Sequence, residues 1–435
     1  MLQELNTKET AMTYDVAVIG AGPAGLMAAK TAAEMGLKTV LLEKRREVSR
    51  ITRACCEQLI MDKDFQGDTV RLENGRIVSL KNDFAVPYSG RTIDVTDKYF
   101  ISPAGHAIHF AYTDHSPIVI KIDKGLLLEN LWQACAAAGV ELLAGAHVNA
   151  ARDQADAVAV QATINGAARE IRARKLIIAD GVNSRTAEKM GLNSSRRCLA
   201  SALCVIYFLR GIAGFEQSAL KTYFGRAFCG LAPLTLNTAL DEEETACLVV
   251  IGNKNSPPEK MYQNIATRGA LAPALRDARI VRRTGCAARA YTSLREPCTG
   301  NVLVAGDAAA YVEVEMQGAL ACGCRAAKAV ADELGGCDGF AQYTRWWQQS
   351  FEFNGDDWLQ VAQGFALVPT YSDDELDYLF GLIESETLEG TYNQYKSPRL
   401  MWGAILKHGD RIKSERPDLH AKIISRSGAT LSDML

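Results

Sequence analysis

The sequence predicts an α/β fold, with a nucleotide-binding domain interleaved with a β-sheet domain and a mostly helical C-terminal region behind them. Three short segments predict it. Val18-Ile19-Gly20-Ala21-Gly22-Pro23-Ala24-Gly25 puts a glycine-rich turn between an apolar run and a helical pattern. Ile178-Ala179-Asp180-Gly181-Val182-Asn183-Ser184 and Leu303-Val304-Ala305-Gly306-Asp307-Ala308 then bring two further apolar runs to small acidic turns, far along the chain.

The first segment has a full βαβ context. Asp15 to Ile19 reads as a strand, Pro23 to Met35 as a helix closed by Gly36, and Lys38 to Leu42 as a second strand ended by Glu43. Gly20 permits the tight turn, Gly22 lets the backbone approach a pyrophosphate, and Gly25 allows close helix–strand packing. Pro23 opens a helix whose N-terminus supplies free N–H groups, from Ala24 onward, that favour phosphate. Glu43 stands about 20 residues on, where an acid accepts hydrogen bonds from an adenosine ribose, and it disfavours a 2′-phosphate there. Among the dinucleotides, an extended FAD draws on contacts from three distant parts of one chain. The three segments therefore specify FAD, and the first domain is a Rossmann-type FAD-binding domain.

The remaining elements follow in order. Val70 to Ser116 alternates short strands with the turns Asn74-Gly75, Ser89-Gly90 and Pro103-Ala104-Gly105, as a β-rich insertion would. Ile118 to Ile122 is a strand and Lys124 to Ala138 an amphipathic helix ended by Gly139. Val158 to Ile164, the turn Asn165-Gly166 and Arg169 to Ala173 form a hairpin, after which Leu176 to Ala179 returns to the nucleotide sheet. Leu199 to Leu209, Lys221 to Phe228, Ala246 to Gly252 and Ala287 to Tyr291 are strands of a second sheet. Asn301 to Ala305 is a buried strand, and from Gln317 the chain reads mostly helical. The implied division gives FAD-binding parts at 1–75, 117–198 and 296–335, an insertion at 76–116, a substrate sheet at 199–295 and helices at 336–435.

Whole-chain properties exclude several classes. The formal net charge is −3 over 435 residues, so a nucleic-acid partner has no general electrostatic support. No run of about 18 apolar residues is present to span a membrane, and Trp346-Trp347 lack a sustained basic amphipathic face, so membrane contact is not expected. Met1 to Met12 shows no apolar signal core, and the twelve cysteines, without any Cys-x-x-Cys, read as reduced thiols rather than disulfides or a metal site. A cytoplasmic protein without a metal is expected.

The order Gly-x-Gly-x-x-Gly, Asp-Gly, Gly-Asp resembles the p-hydroxybenzoate-hydroxylase-type FAD superfamily, and within it the geranylgeranyl reductase family. Cys55-Cys56-Glu57-Gln58-Leu59 is similar to that family's Cys-Gly-Glu-Gly-Leu. Ile122-Asp123-Lys124, a helix and Ala138-Gly139-Val140-Glu141 resemble its Asp-Arg-helix-Ala-Gly segment. Asp180-Gly181 and Gly306-Asp307-Ala308-Ala309 match its Asp-Gly and Gly-Asp-Ala-Ala motifs. The resemblance runs from about Tyr14 to Gly335.

It implies a cofactor set beyond the glycines and Glu43: Asp180, Gly181, Gly306 and Asp307 at strand ends, Gln317, Gly318 and Ala319 at a helix start, and Val148 and Arg53. Lys44, Arg45 and Arg46 beside the first turn can neutralise phosphate, with Arg45 the preferred contact. Cys55 is implied near the substrate side of the flavin as a proton donor or a packing thiol, with Arg50 and Arg53 able to lower its pKa.

Two departures carry the substrate question. The family's Tyr-x-Trp-x-Phe-Pro falls on Phe228-Cys229-Gly230-Leu231-Ala232-Pro233, which keeps Phe228 and Pro233 as substrate contacts but loses large apolar faces at Gly230 and Ala232. After Asp307 the family's Pro and glycines are replaced by Val312-Glu313-Val314-Glu315-Met316-Gln317-Gly318. Ionised, Glu313 or Glu315 would lower the flavin potential; desolvated, either would stay protonated and serve as an acid. The expected reaction is hydride transfer between flavin and a carbon of a small organic substrate. A monooxygenase and an electron-transfer flavoprotein without small-molecule turnover are the alternatives. With no second Gly-rich fingerprint, the electron donor stays open among NAD(P)H, ferredoxin and another flavoprotein.

Overall fold

The structure, a computed structural model, describes residues 13–63, 65, 67–311, 313–355 and 370–426. Met1 to Met12, Val312 and Trp358 lie outside them.

The nucleotide sheet is built around the strand Thr13–Ile19, which pairs in parallel with Thr39–Glu43 on one side and Ala167–Ile178 on the other. Val16, Ala17 and Val18 are fully buried, as a parallel strand covered on both faces requires. Glu141–Ala144 extends the sheet beyond Thr39–Glu43, and Val302–Val304 pairs in parallel with the far end of Ala167–Ile178. All three predicted turns therefore leave the carboxyl edge of one sheet, where ligands of open α/β sheets collect. The expected hairpin arm and the expected returning strand are one strand, Ala167–Ile178. Its charged first half is exposed and its apolar second half buried, so its sequence pattern breaks where the backbone does not.

The second sheet runs Arg279–Tyr291, Cys198–Arg210, Ala246–Gly252, Leu234–Thr238, Ala219–Tyr223, Asp97–Ile101, Ala107–Ala111 and Thr387–Glu389. It corrects three expectations. Lys221 to Phe228 is not one strand: Ala219–Tyr223 ends before Gly225, whose φ of +129° leads into a single 3-10 turn at Arg226–Phe228. Ala287 to Tyr291 is only the end of a longer edge strand, whose Arg279, Arg282 and Arg283 hid the pattern. The expected insertion and the helical tail both give strands to this sheet, Asp97–Ile101, Ala107–Ala111 and Thr387–Glu389.

Two helices fix the cofactor edge. Pro23–Glu34 lies against Glu315–Leu334, where a Cβ on Gly323 would overlap the Ala24 carbonyl oxygen. Lys124–Ala137 starts at Asp123, whose carboxylate accepts the Leu126 N–H at 2.9 Å. Among the described residues no helix is long and apolar enough to cross a membrane.

Candidate functional site

The glycine turn has three distinct steric roles. Gly20 holds φ at +101°, and a Cβ there would overlap the Ala179 carbonyl of the neighbouring strand end. A Cβ on Gly25 would overlap the Gly20 carbonyl, so the helix cannot sit this close with any other residue. At Gly22 a Cβ would meet nothing within 4 Å. That face is open at a helix N-cap that no side chain caps, which leaves its first N–H groups for an anion.

Glu43 ends its strand buried under this turn. It accepts the Ala21 N–H at 2.7 Å, the Arg45 N–H at 2.8 Å and the Arg45 Nε–H at 3.0 Å. Burial opposes its charge, but Arg45 and the Ala21 amide outweigh burial and hold its pKa below the ordinary value. Arg45 also donates to the carbonyls of Val48 and Ala21, both at 3.1 Å. Its guanidinium thus braces the turn and Glu43, while Lys44 is exposed.

The second acidic turn carries an unanswered acceptor. Asp180 Oδ2 takes the Thr186 hydroxyl at 2.9 Å, yet Oδ1 is buried with no partner among the described residues, and desolvation raises the pKa. Gly181, with φ of +87°, faces Arg53: a Cβ there would lie 3.0 Å from its Nη1. In the third turn Asp307 accepts the Val314 N–H at 3.0 Å. An open face at Gly22, a charged carboxylate at Glu43 and an orphaned buried acceptor at Asp180 fit FAD.

Beyond the cradle, two layers meet. The strand Gln58–Ile60 pairs with Val119–Ile122, and the residues before it, Ala54 and Cys56, pack on Ile206, Phe208 and Cys247 of the second sheet. Half-buried Cys55 takes a hydrogen bond from Lys124 Nζ at 3.3 Å and from the Glu57 N–H at 3.4 Å. Arg282 lies 3.6 Å over the Phe208 ring and binds Glu57 at 3.1 Å and Asp241 at 2.5 Å. Burial is the main reason Glu57 titrates above its ordinary range, with Arg282 opposing. Lys121 Nζ donates to the Cys56 carbonyl, and Asn237 Nδ2 to Gln58 Oε1 at 3.0 Å.

The two glutamates after Asp307 enter the same space. Glu315 opens the helix Glu315–Leu334 with φ of +60°, a left-handed conformation that favours glycine. Burial, then Glu313, Cys55 and Asp307, push its pKa well up, and only Lys124 opposes them. Glu313 is exposed, yet desolvation is still its largest influence and raises its pKa. It accepts from Gln394 Nε2 at 3.2 Å.

Gln394 belongs to a strap, Thr391 to Tyr395, that closes this end of the site. Buried Asp62 holds the strap by accepting from the Thr391 hydroxyl, the Tyr392 N–H at 2.9 Å and the Asn393 N–H at 3.2 Å. Lys98 Nζ, pushed down to about 7 by burial, donates to the Thr391 carbonyl at 3.1 Å and to Ser397 Oγ at 2.5 Å. Burial, then Glu315, Cys56 and Glu313, keep the Tyr392 hydroxyl protonated well above its ordinary range.

The FAD binding domain family matches residues 13–62. The digeranylgeranylglycerophospholipid reductase of Methanosarcina acetivorans is 29% identical over 214 residues, 49% of this chain and 48% of the relative, so the chain spans about half the length of that relative. That of Methanothrix thermoacetophila is 27% identical over 400 residues, 86% of this chain and 92% of the relative. A solved structure, the geranylgeranyl bacteriochlorophyll reductase-like protein of Thermoplasma acidophilum, superposes with a TM-score of 0.68 at 18% identity, covering 95% of this chain and 99% of that one. The chain is an FAD-dependent oxidoreductase, similar to these reductases over most of its length.

In this flavoprotein several expected contacts lie elsewhere. Phe228 is buried with Tyr207, Leu234, Leu248 and Met261 on the outer face of the second sheet, opposite Cys56. Its ring packs there tilted against that of Tyr223, because the 3-10 turn points it away from the cleft. Gly230 and Pro233 are half-buried at the start of Leu234–Thr238, and a Cβ on Gly230 would meet the Ala232 carbonyl at 2.6 Å. Gln317 clamps the strand Gln58–Ile60, donating to the Ile60 carbonyl at 2.6 Å. Gly318 makes room for Phe351, 3.2 Å from its absent Cβ, and Ala319 is core. Val148 sits at a bulge on the strand Ala146–Asp153, packed on the main core. The partner of Cys55 is Lys124 rather than Arg50 or Arg53.

Several further cysteine, tryptophan and histidine side chains are structural. Cys322 and Cys324 are buried, and Trp347 is buried with its Nε1 donating to the Leu294 carbonyl at 2.9 Å. His106 and His109 bind Glu384 and Asp97 at 2.6 and 2.8 Å. Sequence reasoning missed the strap altogether. Its signal was a polar, aromatic run, Thr391-Tyr392-Asn393-Gln394-Tyr395, that breaks a helical pattern straight after Gly390.

Proposed function

We propose that this flavoprotein reduces a carbon–carbon double bond of a small organic substrate, with Glu315 supplying the proton. FAD, when bound, supplies the hydride. Gly20, Gly22, Gly25, Glu43, Asp180 and Asp307 hold it, with Arg53 beside Gly181 as a further contact. The observation that carries the reading is Glu315: a carboxyl held protonated by burial and by Glu313, Cys55 and Asp307, at the mouth of the cofactor edge. A neutral acid there donates to carbon chemistry and leaves the proton's site stabilised by Lys124. Cys55, bound to Lys124, stands as the second group able to pass a proton.

The named activity of the relatives makes a polyprenyl double bond the first substrate class to try. The electron donor is assigned to the group NAD(P)H, ferredoxin or another flavoprotein, and the compartment to the cytoplasm. The decisive experiment reduces the FAD-loaded protein without oxygen and compares its reoxidation by a digeranylgeranyl lipid with that by O₂. Stoichiometric saturation of the lipid supports the reading. Hydroxylated product on adding O₂ would make the protein a monooxygenase, and reoxidation only by a redox protein would make it an electron carrier.

A further inference from the structure

Cys204 and Cys286 stand directly opposite each other on the neighbouring antiparallel strands Cys198–Arg210 and Arg279–Tyr291. Opposed residues in such a ladder have Cα atoms about 4.5–5.5 Å apart, within the span a disulfide bridges. Both thiols are free and half-buried, so a small reagent can reach them. They are not equivalent. Cys204, Arg53 and the Ala54 amide beside Cys286 lower its pKa against the opposing effect of burial. Cys286 and burial raise the pKa of Cys204. Arg53 also faces Gly181 of the cofactor edge, so the pair sits on the wall of the cleft. Cys56 and Cys247 form a second pair in the same layer, but Cys247 is fully buried.

We propose that Cys204 and Cys286 form a reactive dithiol site for small disulfides, with Cys286 the attacking thiolate and Cys204 the resolving thiol. The Cys286 sulfur attacks one sulfur of a disulfide RSSR, breaks its S–S bond and expels one RS⁻, which takes a proton. Cys204 then loses its proton and attacks the Cys286 sulfur, expelling the second RS⁻. The protein loses two electrons and two protons to become a disulfide, and RSSR becomes two RSH. The site is independent of the reductase reading, since no step uses the double-bond substrate. Oxidation ties up the sulfur that Arg53 faces, and so connects the thiol state to the cofactor edge.

The test uses the FAD-loaded protein, reduced, freed of reductant and treated without oxygen with one equivalent of dithiodipyridine. Remaining thiols are alkylated and the peptides mapped without reduction. The expected result is two thiopyridones released per reagent and a cross-linked peptide joining Cys204 to Cys286. Cys204→Ser should stop at one thiopyridone, with a stable mixed disulfide on Cys286. Cys286→Ser should slow labelling of Cys204 at least tenfold; Cys286→Ala serves if that variant does not fold. Reagent found on exposed Cys198 or Cys337 with the pair untouched overturns the site. A mixed disulfide that persists on Cys286 in the unaltered protein overturns the role of Cys204. Neither readout needs turnover, so failure here leaves the reductase test standing.

Discussion

Two glutamates in one cleft have opposite protonation behaviour, and burial is the largest influence on both. Glu43 ends a strand and meets the Ala21 amide and the N–H groups of Arg45, which overcome burial and keep it charged. Glu315 begins a helix and meets Glu313, Cys55 and Asp307, which add to burial and raise its pKa well above the ordinary value. Burial therefore fixes the size of the stakes, and the neighbours fix the sign. Glu43 holds a shape. Glu315 favours its protonated form, and does so in a backbone conformation that costs roughly 1–2 kcal/mol for a residue with a side chain.

The largest effects should come from the glycines that frame the Glu43 end. Gly25→Ala places a methyl on the Gly20 carbonyl and should yield protein that neither retains flavin nor melts cooperatively at the wild-type temperature. Gly22→Ala meets no protein atom and adopts φ of −81° without strain, so its melting temperature without flavin should match wild type. Its FAD affinity should still fall at least tenfold in a fluorescence titration. Equal FAD binding by Gly22→Ala would show that the open face is not where phosphate lies.

At the other end, Glu315→Gln should lower kcat by about 100-fold while flavin stays bound, the usual worth of a general acid. The pH profile gives the sign. The folded pKa is raised, so the acid form persists above the ordinary carboxylate range, and kcat falls as pH rises through the folded value. The variant should lack that limb. Stability should move the other way: above the unfolded pKa the folded state must retain or lose a proton at a cost that Gln does not carry. Glu315→Gly should be more stable still, by about 1 kcal/mol from relief of the left-handed strain. A stable, slow enzyme supports the comparison; a Glu315→Gln protein with normal kcat breaks it.

Glu43→Gln should do the reverse, losing about 2 kcal/mol of stability in denaturant titration because charge-assisted bonds to Arg45 are lost. Its folded pKa is depressed, so its contribution is present above the unfolded pKa near 4.3 and is lost as pH falls through the folded value. The stability gap between Glu43→Gln and wild type should therefore close in acid. A gap that is constant with pH would mean that Glu43 acts through packing alone.

The Glu43 end was legible in the sequence because its chemistry is local. Gly20, Gly22, Gly25 and Glu43 lie within 31 residues that also encode their own strand–helix–strand frame. The Glu315 end was only half legible. Glu313 and Glu315 stood out as departures from a glycine pattern, but what surrounds them comes from Lys124 and from a strap nearly 80 residues further on. Phe228 failed for a related reason: a motif gives residue types, whereas one 3-10 turn after Gly225 decides which face of the sheet they reach. The long edge strand from Arg279 hid behind its own arginines, since an edge tolerates charge that a central strand does not.

The strap sets the smallest and most selective expectation. Thr391→Val keeps the side-chain shape and removes one of three donors to Asp62, leaving the Tyr392 and Asn393 amides in place. The loss should be about 1 kcal/mol, felt locally as a looser strap rather than as unfolding. Flavin binding should be unchanged, because the cradle at Gly22 and Glu43 shares no residue with it. If Tyr392 and Gln394 form the substrate wall beside Glu315, KM should rise several-fold with kcat nearly constant. A fall in kcat at constant KM would instead assign the strap to Glu315, as the element that keeps its proton in place. An unchanged KM and kcat would confine the functional end of the cleft to the residues before Gly335.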